Sequence, residues 1–135
     1  MLRQGPVPAA VHGLVEYVVG VLFIAAPFLF DFDASAAKAT SIVVGLLVLV
    51  MAATTEGPTG LIKELPVAAH AVVDYALAAG LVAAPFLFRF SDDTPATGFF
   101  ITLGVLHLLL SIATRFVRTD VAADPAGGAA VSRRS

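Results

Sequence analysis

Of the 135 residues, 59% are hydrophobic and 13% charged, against about 45–50% and about 25% in ordinary soluble domains, so the chain is one domain too apolar to be water-soluble. A net charge of −2, with no basic patch interleaved with aromatics, excludes nucleic acid as a partner. The absence of cysteine removes disulfides, thiolate metal sites and Cys nucleophiles together.

The N-terminal MLRQGPVP hands over at Ala9 to an apolar run that ends at Phe30. Its 22 residues reach about 33 Å, enough to cross a hydrocarbon core about 30 Å thick. Pro8 suits the start of a helix, where its missing N–H leaves no bond unmade. The competing reading is a cleaved signal peptide, with Ala34-Ser35-Ala36 as the cleavage site. The run is too long for that role, it contains Glu16, and a near-copy of it lies mid-chain.

Asp31 to Lys38 reads as a polar turn and Ala39 to Thr55 as a second span of 17 residues. Gly-Pro and Thr-Gly turn signals open Glu56 to Leu65, which ends in a brief amphipathic piece expected at the membrane surface. A third span runs from Pro66 to Phe88, Arg89 to Thr94 turns the chain, and a fourth runs from Pro95 to Thr114. Residues 119–135 are expected to form a flexible cytoplasmic tail, leaving 1–118 as the membrane domain.

Residues 65–90 repeat residues 7–32 at an offset of 58, with 12 of the 26 positions identical. Pro8, His12, Tyr17 and the run Ala25-Ala26-Pro27-Phe28-Leu29-Phe30 recur as Pro66, His70, Tyr75 and Ala83-Ala84-Pro85-Phe86-Leu87-Phe88, while Asp74 stands where Glu16 does. The second and fourth spans align at an offset of 59, Gly45 on Gly104 and Thr55 on Thr114. The expected fold is therefore all-α: a four-transmembrane-helix bundle of two tandem helical hairpins, 7–56 and 65–115. An even number of spans per copy makes the hairpins parallel, related by an approximate two-fold along the membrane normal.

The side holding both termini and the middle loop carries Arg3, Lys63, Arg115, Arg118, Arg133 and Arg134, against Lys38 and Arg89 on the other. Six against two places both termini in the cytoplasm.

With His-x-x-x-acid-Tyr followed by Ala-Pro-Phe-Leu-Phe, the chain resembles the SPW-repeat family of small bacterial membrane proteins over residues 6 to 116. The family's Ser-Pro-Trp reads Ala26-Pro27-Phe28 and Ala84-Pro85-Phe86 here, and there is no Trp. The resemblance implies two-helix repeats in a bacterial inner membrane and no particular activity.

His12 and Glu16 are four apart, so they share one helix face, as do His70 and Asp74. Continued at helical spacing, these faces add Gly20, Phe23 and Pro27, and Ala78, Leu81 and Pro85. Ionisable groups in a span rarely face lipid, because a charge at the bilayer centre costs at least about 2.5–3.5 kcal/mol, so both faces are expected to point inward. Counted from Pro8 and Pro66, the histidines lie roughly 6 Å in and the acids roughly 12 Å in. His107 reaches a similar depth from Arg115, on the stripe Phe100, Gly104, His107, Ser111 and Thr114, and is expected to meet Glu16 or Asp74. Val48 holds its place in the second span.

Four readings of His12, Glu16, His70, Asp74 and His107 follow: helix-packing hydrogen bonds, ligands for a metal ion or haem b, a proton or cation path, and enzyme chemistry. The packing reading comes first and needs no cofactor. It gives a non-enzymatic scaffold or accessory subunit working through helix–helix contacts, whose partners are the lipid bilayer, a homo-oligomer or a larger membrane complex. Against an enzyme stands the lack of a nucleophile–base–orienter set and of a phosphate-cradling glycine loop. Tyr17 and Tyr75 are structural candidates at the membrane surface or bonding a neighbouring helix, and Pro27 and Pro85 are expected to free the carbonyls of Phe23 and Leu81 and kink their helices. Phe28, Phe30, Phe32 and Phe86, Phe88, Phe90 are expected at the outer surface or packed there between the repeats.

Overall fold

A backbone immersed in lipid must satisfy its own hydrogen bonds, and a helix does so within one segment. The computed structural model describes residues 5–116. They form α1 (Ala9–Leu29), α2 (Ser35–Thr54), α3 (Val67–Leu87) and α4 (Thr94–Ala113), flanked by the two-residue strands β1 (Val7–Pro8) and β2 (Thr114–Arg115). Each helix is long and apolar enough to span a membrane. Because α1 packs along α2 and α3 along α4, the molecule is a multi-pass membrane protein built of two tandem hairpins. The tail expected at 119–135 lies outside the described residues.

The helix ends agree with the sequence expectation to within one residue except at the start of α2, which begins at Ser35 rather than Ala39. Ser35-Ala36-Ala37-Lys38 is good helix-forming sequence, Ala37 is buried in the core, and exposed Lys38 reaches solvent from the first turn. The turn between α1 and α2 is thereby short. Asp31 and Arg89 adopt left-handed φ of 48° and 56°, and the following residues close the helices: Phe32 N–H donates to Pro27 O at 3.1 Å and Phe90 N–H to Pro85 O at 2.9 Å. This six-to-one closure turns Phe32 and Phe90 inward. Both are buried, whereas Phe28, Phe30, Phe86 and Phe88 are exposed, so the expected outer aromatic clusters divide into core and surface.

Phe23, Phe32, Leu81, Phe90 and Phe100 form a core in the half of the bundle away from the termini. Phe23 lies edge-on to Phe99 and Phe100, with ring centres 4.9 and 5.5 Å away, which joins the two hairpins. Within the first hairpin, α1 and α2 touch at Gly20 and Gly45. A Cβ at Gly45 would stand 2.6 Å from Gly20 O, so only glycine permits this approach. Pro27 frees the Phe23 carbonyl, which accepts the Ser41 hydroxyl from α2. Phe100 occupies the matched position in α4 and has no proton to give Leu81.

The ends close in a ring. Val7 pairs with Thr114 and Pro8 with Arg115, while Thr55 pairs with Leu65. The entry of each repeat thus meets the exit of the other. The amphipathic piece, residues 61–65, turns back over the end of α2. Leu61 and Ile62 N–H donate to Ala53 O, and Glu64 and Leu65 N–H to Thr54 O, satisfying carbonyls that a helix end leaves free.

Candidate functional site

His12 stands in the first turn of α1 and Glu16 one turn on, while His70 and Asp74 hold the same places in α3; all four are buried. His107 comes from the last two turns of α4, also buried. The five sequence candidates therefore share one site between the hairpins, near the end that carries the termini.

The closest pairings cross between repeats. His70 Nε2 lies 3.0 Å from Glu16 Oε1, and His12 Nε2 lies 3.1 Å from Asp74 Oδ2. Within each repeat the same partners are farther apart, 3.5 Å for His12 and Glu16 and 3.3 Å for His70 and Asp74. Between Glu16 and Asp74, His107 takes Asp74, 3.4 Å from its Oδ1. One ligand atom from each of His12, Glu16, His70 and Asp74 falls within 4.8 Å of every other.

Two threonines that the sequence reading aligned but gave no role to orient the rings. His12 Nδ1 is 2.8 Å from Thr114 Oγ1 and His70 Nδ1 is 2.6 Å from Thr55 Oγ1, again across the repeats. Each threonine hydroxyl donates its one proton to the carbonyl a turn earlier, Thr114 to Leu110 O and Thr55 to Met51 O, both at 2.6 Å. Their oxygens are left as acceptors, so the histidines donate from Nδ1. That fixes the tautomer of a neutral ring: Nε2 carries a lone pair and faces the carboxylates.

Such an arrangement calls for positive charge, which a proton on each Nε2 or a bound cation supplies. Neutral rings would set lone pairs against carboxylate oxygens in a buried site, where unpaired polar groups are costly. Although the contacts are short, His12 Nε2, His107 Nε2 and Asp74 Oδ2 lack an aligned hydrogen-bond partner.

Around the cluster, the Phe116 ring lies edge-on to His12 with centres 5.3 Å apart. Tyr17 donates its hydroxyl to Thr59 O in the middle loop at 3.1 Å, where the sequence reading offered the membrane surface or a neighbouring helix. Its counterpart Tyr75 is 37% exposed on α3. Pro27 and Pro85 lie near the opposite ends of α1 and α3, away from the cluster.

No curated protein and no solved structure matches this chain. Among protein-family models, the SPW repeat domain matches residues 9–114, which takes in all four helices, the five cluster residues and both threonines. The chain therefore belongs to the SPW repeat family.

Proposed function

We propose that this protein is a non-enzymatic membrane protein that holds one divalent first-row transition-metal ion between its two repeats. The observation that carries the reading is the pair of threonine-anchored imidazoles, each turning Nε2 onto two buried carboxylates. A second hydrogen bond from the far ring nitrogen is how metal-binding histidines are commonly held. One atom from each of the four side chains lies within 4.8 Å of every other, close enough to be drawn onto a four-coordinate ion whose ligands stand about 3.5 Å apart at bonds of about 2.1 Å. Two carboxylates balance the charge of a divalent ion. An imidazole and carboxylate set without sulfur favours zinc, iron(II), manganese or cobalt over copper(I).

Haem b, which the histidines alone also suggest, does not suit this packing. The cleft beside the cluster has about 30 Å³ of free volume, room for about two waters. A porphyrin is many times larger. The test is metal analysis of protein purified in mild detergent beside a His12→Ala/His70→Ala variant. The reading expects one equivalent of metal in the parent and none in the folded variant; a metal-free parent that takes up none on titration contradicts it.

The scaffold reading stands second, favoured by the exposed apolar faces of all four helices, including Leu14, Val18, Val43, Leu47, Val72 and Leu106. A homo-oligomer or membrane complex built on those faces is compatible with a metal between the repeats. For location we infer the bacterial inner membrane with both termini cytoplasmic, supported by the six-to-two distribution of Lys and Arg.

A further inference from the structure

Resting on that reading, we propose that the cation reaches the cluster from the terminal face alone, through one acidic cleft, and that the route ends there, so the chain binds the ion without passing it across the membrane. The cleft lies between α1, α3 and the middle loop, with His12, Glu16 and His70 at its floor and Thr55, Glu56 and Gly57 along its wall. Glu56 is exposed and offers an incoming cation a carboxylate.

Pseudo-symmetry calls for a second cleft beyond β2, but the sequence has changed there. At an offset of 59, Glu56 is matched by Arg115, whose guanidinium repels cations and donates from Nε to Gly5 O at 3.3 Å; the next residue, Phe116, lies against His12 and borders the first cleft. One side therefore attracts the ion and the other turns it away.

Beyond the cluster the inward stripes become apolar. Gly20, Phe23, Ala78, Leu81, Phe100 and Gly104 fill the centre of the bundle. Of the polar groups in this half, the Ser41 hydroxyl is taken by Phe23 O, and the Asp93 carboxylate accepts from Asp33, Ala34 and Ala96 N–H in the outer turns. Among the described residues no ligand or proton carrier continues the route. This argues against the transport reading of the same cluster.

The chain has no cysteine, so a single introduced thiol can be addressed cleanly. Gly57 lines the cleft and an added Cβ there meets nothing within 4 Å, which makes Gly57→Cys a mild change; Asp92→Cys in the exposed turn at the opposite end is the control. Each variant is loaded with Co²⁺ in detergent and followed by its visible absorption, before and after reaction with a bulky maleimide. The expected result is that labelling Gly57→Cys slows both Co²⁺ uptake and its removal by EDTA at least tenfold with Kd unchanged, while labelling Asp92→Cys alters neither. Unchanged exchange rates overturn the route, as does a loss of affinity without slowing. Quenching by Co²⁺ of a dye trapped in proteoliposomes, beyond that in protein-free vesicles, overturns the dead end. If the unlabelled variants and the parent bind no Co²⁺, the cation site itself fails, a result distinct from an unblocked or leaking one.

Discussion

The two repeats share His, acid, Tyr, Pro and Thr at matched positions, yet they differ at the points where these residues are supported. In the first, Ser41 serves the carbonyl freed by Pro27; in the second, Phe100 fills that place with a ring. Asp93 caps α4 through Ala96 N–H and also accepts from Asp33 and Ala34 of the other repeat, whereas Ala34, at the matched position, caps α2 with no side chain. His107 approaches Asp74, where the first repeat has the buried Val48. The shared residues build a frame that is symmetric in its crossing bonds. The unshared ones give that frame a direction, with more nitrogen on the Asp74 side and more negative charge on the Glu56 side.

The largest effect is expected at Asp74, which meets His12, His70 and His107, whereas Glu16 meets only the first two. Asp74→Ala should destabilise the fold by about 3–5 kcal/mol, the loss typical when one partner of a buried charged set is removed. Glu16→Ala should cost less, and thermal unfolding in detergent compares the two; equal losses would mean that His107 contributes nothing to the difference. Next come Thr55→Val and Thr114→Val. Each frees one ring to turn and should weaken cation affinity about 10–100-fold, as loss of a second hydrogen bond does at metal sites. Co²⁺ titration reads both, and similar values for the two are what the crossed arrangement requires.

Acidity provides a third way to sharpen the comparison. Protons compete with a metal for Nε2 and for carboxylate oxygens, so apparent affinity should fall as pH falls, with protons released on binding. Calorimetry in buffers of different ionisation enthalpy counts those protons. Affinity that is flat with pH would point away from histidine ligation. The smallest effect belongs to Ser41→Ala, which removes a single hydrogen bond present in one repeat only and should cost about 1 kcal/mol in thermal stability with cation affinity unchanged.

Much of this architecture is legible in the residues. The internal repeat and the apolar runs carry the four helices, and helical spacing carries the inward stripes, because both are local properties of one segment. His12 and Glu16 sharing a face is likewise a fact about one helix. That each histidine lies nearest the acid of the other repeat is not, because it depends on how two hairpins dock. Thr55 and Thr114 align in the repeat, but their role appears only when β2 and the Thr55–Leu65 bridge bring the exit of one repeat beneath the histidine of the other. For Phe32 and Phe90 the sequence leaves both the outer surface and packing between the repeats open, since the left-handed residue that turns each inward is Asp31 or Arg89 rather than a signalling glycine. The early start of α2 is not legible in the sequence because the acidic and small residues of DFDASAAK also suit a turn.

The most direct test is X-ray absorption on the Co²⁺-loaded protein, with anomalous diffraction at the cobalt edge where crystals exist. The account predicts a single cobalt between α1 and α3, bound by nitrogen and oxygen only at about 2.0–2.2 Å, with the imidazole scattering of at least two histidines and lost in His12→Ala/His70→Ala. A cobalt with water-like oxygen scattering alone, or one seated at the exposed acids of the loops while His12 and His70 stay paired to Asp74 and Glu16, would contradict it.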